Sequence, residues 1–139
     1  MSTPPPYRLE EQIGFVLRKA SQRHIAIFVR HIAELTPPQF AALAKLAEVG
    51  ATSQNQLGTL VAMDAATIKG VIDRLKLRGF VSIERHLEDR RRIVVSLTEE
   101  GRQAVEALLP LAHAITRETT GPLSAREIET LMRLLAKLS

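Results

Sequence analysis

The chain contains no cysteine among its 139 residues. That absence removes a disulfide framework, a thiolate nucleophile and any Cys-type zinc or iron–sulfur site. No apolar run reaches the roughly 18 residues that a membrane-spanning helix needs. The opening Met1-Ser2-Thr3-Pro4-Pro5-Pro6-Tyr7 lacks a basic stretch followed by an apolar one, so export is not expected and a cytoplasmic location is the default. Gly-rich phosphate loops, metal-ligand clusters and nucleophile motifs are missing, and the few histidines and carboxylates are not spaced as a catalytic set. An enzyme is therefore not expected, and neither a cofactor nor a metal is implied.

What is present is globular: 45% hydrophobic and 24% charged residues, in a length that fits one domain with at most a small appendage. A chain of this size buries roughly 68–70% of its unfolded surface, enough for a real core. The net charge of +4 is unevenly placed. The stretch Lys69–Arg92 sets Lys69, Arg74, Lys76, Arg78, Arg85, Arg90, Arg91 and Arg92 against only Asp73, Glu84, Glu88 and Asp89. Its excess equals that of the whole chain, a local basic footprint that points to a polyanion, nucleic acid first.

Periodicity orders the elements. Residues 1–7, rich in proline, read as a flexible arm. From 8 to 35 the apolar residues Ile13, Leu17, Ala20, Phe28 and Leu35 recur at helical spacing, which predicts one helix of about 27 residues and roughly 40 Å. Thr36-Pro37-Pro38-Gln39 and Ser53-Gln54-Asn55-Gln56 are capping boxes, and Asp64 is an N-cap before Ile68, Val71, Ile72 and Leu75. Gly50 and Gly79 are stops. The two short helices meeting at Val61–Asp64 have the pattern of a helix-turn-helix.

After Gly79 the period changes. Phe80–Arg85 and Ile93–Leu97 alternate and favour β-branched residues, with the charged His86–Arg92 between them. A two-stranded hairpin following a helix-turn-helix is a winged helix. Thr98 caps a long helix with an apolar stripe through Val105, Leu108, Ala112 and Ile115, which Pro110 should kink rather than end. Gly121-Pro122 breaks the chain, and the box Ser124-Ala125-Arg126-Glu127 opens a last helix carrying Ile128, Leu131, Leu135 and Leu138. The reading is mainly α: a winged helix-turn-helix over 36–97, flanked by helical regions 8–35 and 98–139. Those flanks have more apolar face than one small domain requires, with Ile13, Leu17, Ile128, Leu131, Leu135 and Leu138 foremost, and this predicts a partner chain.

The string Ile72-Asp73-Arg74-Leu75, then Gly79-Phe80-Val81, then Asp89-Arg90-Arg91-Arg92 and Leu97-Thr98-Glu99-Glu100-Gly101, resembles the MarR family of bacterial transcription regulators. The resemblance runs from about Arg8 to Leu138, and its most specific element is the wing signature Asp89, Arg91, Leu97, Thr98 and Gly101. It implies a ligand-responsive homodimer whose terminal helices interlace, and which binds a pseudo-palindromic operator as a repressor. The second helix of the helix-turn-helix would enter the major groove and the wing the adjacent minor groove. It further implies release by a small aromatic or phenolic effector bound between the dimerisation region and the winged helix.

Carried onto this chain, DNA contacts fall to Ala65, Ala66, Thr67, Lys69, Gly70 and Arg74 on the recognition helix. Small groups there let the backbone approach base edges, where methyls meet thymine and Lys69 reaches guanine or phosphate. The family usually has larger polar residues at these positions, which hints at more reliance on backbone contacts and DNA shape. Ser53, Gln54 and Asn55 open the preceding helix, whose amides suit a phosphate. Arg91 matches the wing arginine for a narrow minor groove, with Asp89 orienting it and Arg85, Arg90 and Arg92 adding phosphate contacts. The alternatives are a solvated helix face and a surface ion-pair cluster.

On the first helix, His24 and His31 lie two turns apart beside Phe28, with Arg18 and Arg23 near. The two imidazoles could line an effector pocket or hydrogen-bond across a dimer. Arg18, Arg23 and Arg30 suit an anionic effector such as an aromatic carboxylate or its acyl thioester, with solvated helix-face arginines as the competing reading. Histidines satisfied by local partners are the competing reading, and zinc, with His113 as a further ligand, is not demanded by the spacing. Two other functions compete, a winged-helix protein–protein module and a regulator acting as an activator.

Overall fold

The computed structural model describes residues 3–89 and 91–139. They form two compact units, one from the described part of Met1–His31 together with His113–Ser139, the other Ile32–Ala112.

In the first unit a short 3-10 turn, Leu9–Glu11, precedes α1, Ile13–His31. The single long helix expected over 8–35 is therefore corrected at both ends. Gln12 is extended (φ −90°, ψ 140°), which separates the turn from α1. After His31 the chain leaves the helix while Ile32 and Leu35 still bury almost completely, so their spacing imitates a helical period without a helix. Thr36, directly before Pro37, is extended (ψ 160°), as a residue preceding proline prefers. The unit is completed by the end of α5, Glu99–Thr120, which runs through Pro110, and by α6, Ala125–Lys137. Ser124 and Glu127 form both halves of the capping box on α6.

The second unit holds α2 (Pro37–Val49), α3 (Gln54–Leu60) and α4 (Ala65–Leu77). The Thr36–Gln39 box caps α2 in both directions, and Gly50 ends it at φ 81°. Of the box read at Ser53, the half from Ser53 Oγ is formed, accepting from the Gln56 amide at 3.1 Å. Asp64 Oδ1 accepts from the Thr67 amide at 2.8 Å, and Gly79 closes the α4 end at φ 78°. Between α3 and α4, Ala62 sits at φ 58°, a left-handed turn position held by a residue other than glycine. Gly58 is buried there because a Cβ would meet Met63 O at 3.0 Å and Ile68 Cγ2 at 3.1 Å, so its absence lets the two helices close. Leu43, Leu46, Leu57, Ile68, Ile72 and Leu75 fill the core, each fully buried and each worth about 1.5–3 kcal/mol of apolar transfer.

The wing strands are β2 (Val81–Arg85) and β3 (Ile93–Leu97), antiparallel with Val81 opposite Leu97 and Arg85 opposite Ile93. Where the sequence predicts a two-stranded hairpin the sheet has three strands. The short β1 (Thr52–Ser53) pairs with β3, in the order β1-β3-β2. Two residues show no period, and pairing with a strand some 40 residues on is non-local, which is why the sequence does not announce β1.

One junction ties wing to helix. Thr98 donates its amide to Phe80 O (3.1 Å) and its hydroxyl to Gly79 O (2.6 Å), while its Oγ1 accepts the Gly101 amide (3.0 Å). A Cβ on Gly101 would lie 2.0 Å from Phe80 O. The Leu-Thr-x-x-Gly part of the signature thus has a steric cause.

Candidate nucleic-acid interface

Helix α4 separates its residues cleanly. Ile68, Val71, Ile72 and Leu75 are buried, while Ala65, Ala66, Thr67, Lys69, Gly70 and Arg74 are all exposed. Lys69 Nζ meets Asp73 Oδ2 at 2.8 Å, so the lysine is held along the helix by its own carboxylate. Nothing lies within 4 Å of a Cβ placed on Gly70, so that glycine answers no packing demand inside the described residues. Arg78, part of the basic stretch, is used structurally: it donates to Glu34 O at 2.7 Å and lies 5.1 Å over the Phe80 ring.

Pairing of β1 with β3 sets the start of α3 beside the wing. An open groove of about 680 Å³ results, with Ser53, Gln54 and Asn55 on one wall and His86, Arg91 and Arg92 on the other. The sequence does not foretell this juxtaposition, because the pairing that makes it is invisible locally. At the wing tip Asp89 Oδ1 accepts from the Arg91 amide at 3.1 Å and lies 3.5 Å from its Nε. The Arg91 side chain is otherwise 95% exposed. Asp89 O accepts the Arg92 amide and Arg92 O accepts the His86 amide, each at 2.9 Å. Arg85 is exposed at the end of β2, and Arg90 lies outside the described residues. His86 and the fully exposed Leu87, absent from the sequence-derived site, also belong to the tip.

The residues read as an effector set lie along α1, and most engage the end of α5. Arg23 donates to Thr119 O (2.8 Å) and Glu118 O (3.1 Å), a cation on the carbonyl end of a helix. His24 Nδ1 is 2.8 Å from Thr119 Oγ1, and His31 Nε2 is 2.7 Å from Glu118 Oε2. Arg30 closes on Glu118 Oε1 at 2.6 Å. These bonds, His31's first and Arg30's next, hold the Glu118 carboxyl below its ordinary 4.5. Phe28 is buried, whereas Arg18 is exposed with its guanidinium 5.7 Å over the Phe15 ring. Of the apolar residues expected at an interface, Ile13 (64%), Leu17, Leu131 and Leu138 (69%) are exposed, and Ile128 and Leu135 half-buried. Among the described residues no group of three or more His, Asp or Glu could hold a metal ion, and no helix is long and apolar enough to cross a membrane.

A tri-helical core, an α4 with a small-residue outer face and a basic three-stranded wing define the class: a winged helix-turn-helix protein. The MarR family model matches residues 35–93. The chain is 41% identical over 135 residues to the transcriptional repressor NicR of Pseudomonas putida, covering 96% of this chain and 85% of that protein. The crystal structure of a probable transcriptional regulator from Pseudomonas aeruginosa is 52% identical with a TM-score of 0.91, over 95% of this chain and 100% of that one. BpsR of Bordetella bronchiseptica, whose DNA binding is regulated by 6-hydroxynicotinic acid, is 41% identical with a TM-score of 0.92, over 96% of this chain and 97% of its own. The chain belongs to the MarR family.

Proposed function

We propose that the chain is a cytoplasmic, non-enzymatic transcriptional repressor that binds operator DNA as a homodimer and is released by a small anionic aromatic acid. The observation that carries this reading is near-full-length similarity to NicR, a repressor, and to BpsR, whose DNA binding responds to 6-hydroxynicotinic acid. A hydroxylated pyridine carboxylate is a planar anion, the ligand class that arginines and histidines on α1 suit. Arg18 supports it best, being a guanidinium over an aromatic ring without an acidic partner among the described residues.

In this account residues 36–97 are the DNA-binding region, and 8–35 with 98–139 the dimerisation region. The exposed outer face of α4 reads bases in the major groove. Ser53–Asn55 and the wing grip backbone on either side of their shared groove, with Arg91 entering the minor groove and Asp89 orienting it. The exposed apolar residues of α1 and α6 cover one another across the two-fold axis. Fluorescence anisotropy on DNA flanking the protein's own gene, at two salt concentrations, tests the reading. Counterion release makes DNA affinity fall steeply with salt, and addition of 6-hydroxynicotinic acid should release the DNA. Salt-independent association, or a complex indifferent to the acid, would contradict it.

A further inference from the structure

We propose that His86 is a positioning residue for the wing: its ring nitrogen holds the tip turn that, through Asp89, presents Arg91 to DNA. The inference rests on the wing reading above. His86 Nδ1 lies 3.2 Å from the backbone nitrogen of Glu88 and 3.2 Å from that of Asp89. Both of those groups are donors, so Nδ1 is the acceptor and the ring carries its hydrogen on Nε2. A side chain accepting from amides two and three residues ahead does what an Asn or Asp oxygen does when it caps a turn. Here an imidazole fills that role.

The bonds then run in series. His86 Nδ1 fixes the amides of Glu88 and Asp89, and Asp89 in turn accepts Arg91's amide on its carboxylate and Arg92's amide on its carbonyl. The His86 amide returns to Arg92 O at 2.9 Å, closing the tip between the ends of β2 and β3. Arg91 is 95% exposed, and its ion pair among the described residues is the one with Asp89. Little besides this turn therefore orients its guanidinium. With His86 replaced by a residue lacking an acceptor, two tip amides lose their partner, Asp89 loses its anchor, and Arg91 reaches the groove from a disordered tip.

Four variants test this: His86→Ala, His86→Asn, Arg91→Ala and the double variant His86→Ala/Arg91→Ala. Asparagine keeps a short acceptor at the capping position. We expect His86→Ala to weaken operator binding by about three- to tenfold, part of the loss expected for an arginine contact. His86→Asn should stay within about twofold of the parent. In the Arg91→Ala background His86→Ala should cost clearly less than it does alone, since a residue acting largely through another is not additive with it. In DNA-free protein the Glu88 and Asp89 amides should exchange faster in His86→Ala and not in His86→Asn. Additive losses in the double variant would overturn the proposal, because the ring would then touch DNA itself, and so would an Asn variant as weak as Ala. An Arg91→Ala loss beside an unaffected His86→Ala would overturn only the role of His86. An Arg91→Ala variant that binds like the parent would remove the wing's part in the function, and this proposal with it.

Discussion

Gly101 is the residue on which the junction between wing and α5 most sharply depends. A methyl group at this position would stand 2.0 Å from Phe80 O, where ordinary contact begins at 3.4 Å. Phe80 O cannot retreat freely, because it accepts the Thr98 amide at 3.1 Å and belongs to the turn that leads α4 into β2. Either the start of α5 moves outward by more than about 1 Å or the Thr98–Phe80 bond breaks. Overpacking of this kind costs about 1–3 kcal/mol and occasionally more, and loss of the bond between the half-buried Thr98 and Phe80 adds about 1 kcal/mol. Against this, alanine in an open helix position is favoured by up to ~1 kcal/mol. Gly101→Ala should therefore lower stability by about 1–3 kcal/mol, read by urea unfolding with circular dichroism at fixed protein concentration. A variant as stable as the parent would refute the steric reasoning for the glycine in the signature.

The opposite result is expected at Gly70, where a Cβ meets nothing within 4 Å: Gly70→Ala should gain up to ~1 kcal/mol of stability by the same assay yet weaken operator binding in anisotropy, since the outer face of α4 then stands off from the bases. Arg91→Ala should leave stability within ~0.5 kcal/mol, its side chain being exposed, while costing operator binding about 1–3 kcal/mol per wing and flattening the salt slope. Leu131→Glu puts a charge on the exposed apolar face of α6 and should turn a micromolar dimer into monomer in sedimentation velocity. Glu118, with its pKa depressed below 4.5 by His31 and Arg30, contributes stability that is present above that value and lost as pH falls through the lower folded value. Glu118→Gln should thus be the less stable protein at neutral pH, with the gap to the parent closing on acidification below about 4.5 in pH-dependent urea unfolding.

The caps were legible because their chemistry is local. Thr36 with Gln39, Ser124 with Glu127, Asp64, Gly50 and Gly79 each act within four residues, and each forms the terminus read for it. The wing strands were legible from alternation, and the buried stripe of α4 from its period. Three features were not. The pairing of Thr52–Ser53 with β3 has no local signal. Ala62 takes a turn position that glycine or asparagine would advertise. The first helix stops at His31 although Ile32 and Leu35 continue its period, because burial is satisfied by an irregular path. At the interface, the exposed residues of α4 follow from the buried ones, whereas only the family resemblance distinguishes Arg91 from its basic neighbours. The acceptor role of His86 depends on how the tip turn closes, which no spacing encodes.

The most direct measurement is a DNase footprint of the purified protein on DNA flanking its own gene, with and without 6-hydroxynicotinic acid. The account predicts two protected half-sites with centres about 34–36 Å apart, one turn of the duplex. Protection should disappear when the acid is added. Protection of a single half-site, or of none at low salt, would contradict a dimer reading DNA through α4 and the wing. Two half-sites that the acid leaves fully protected would contradict release by an anionic aromatic effector.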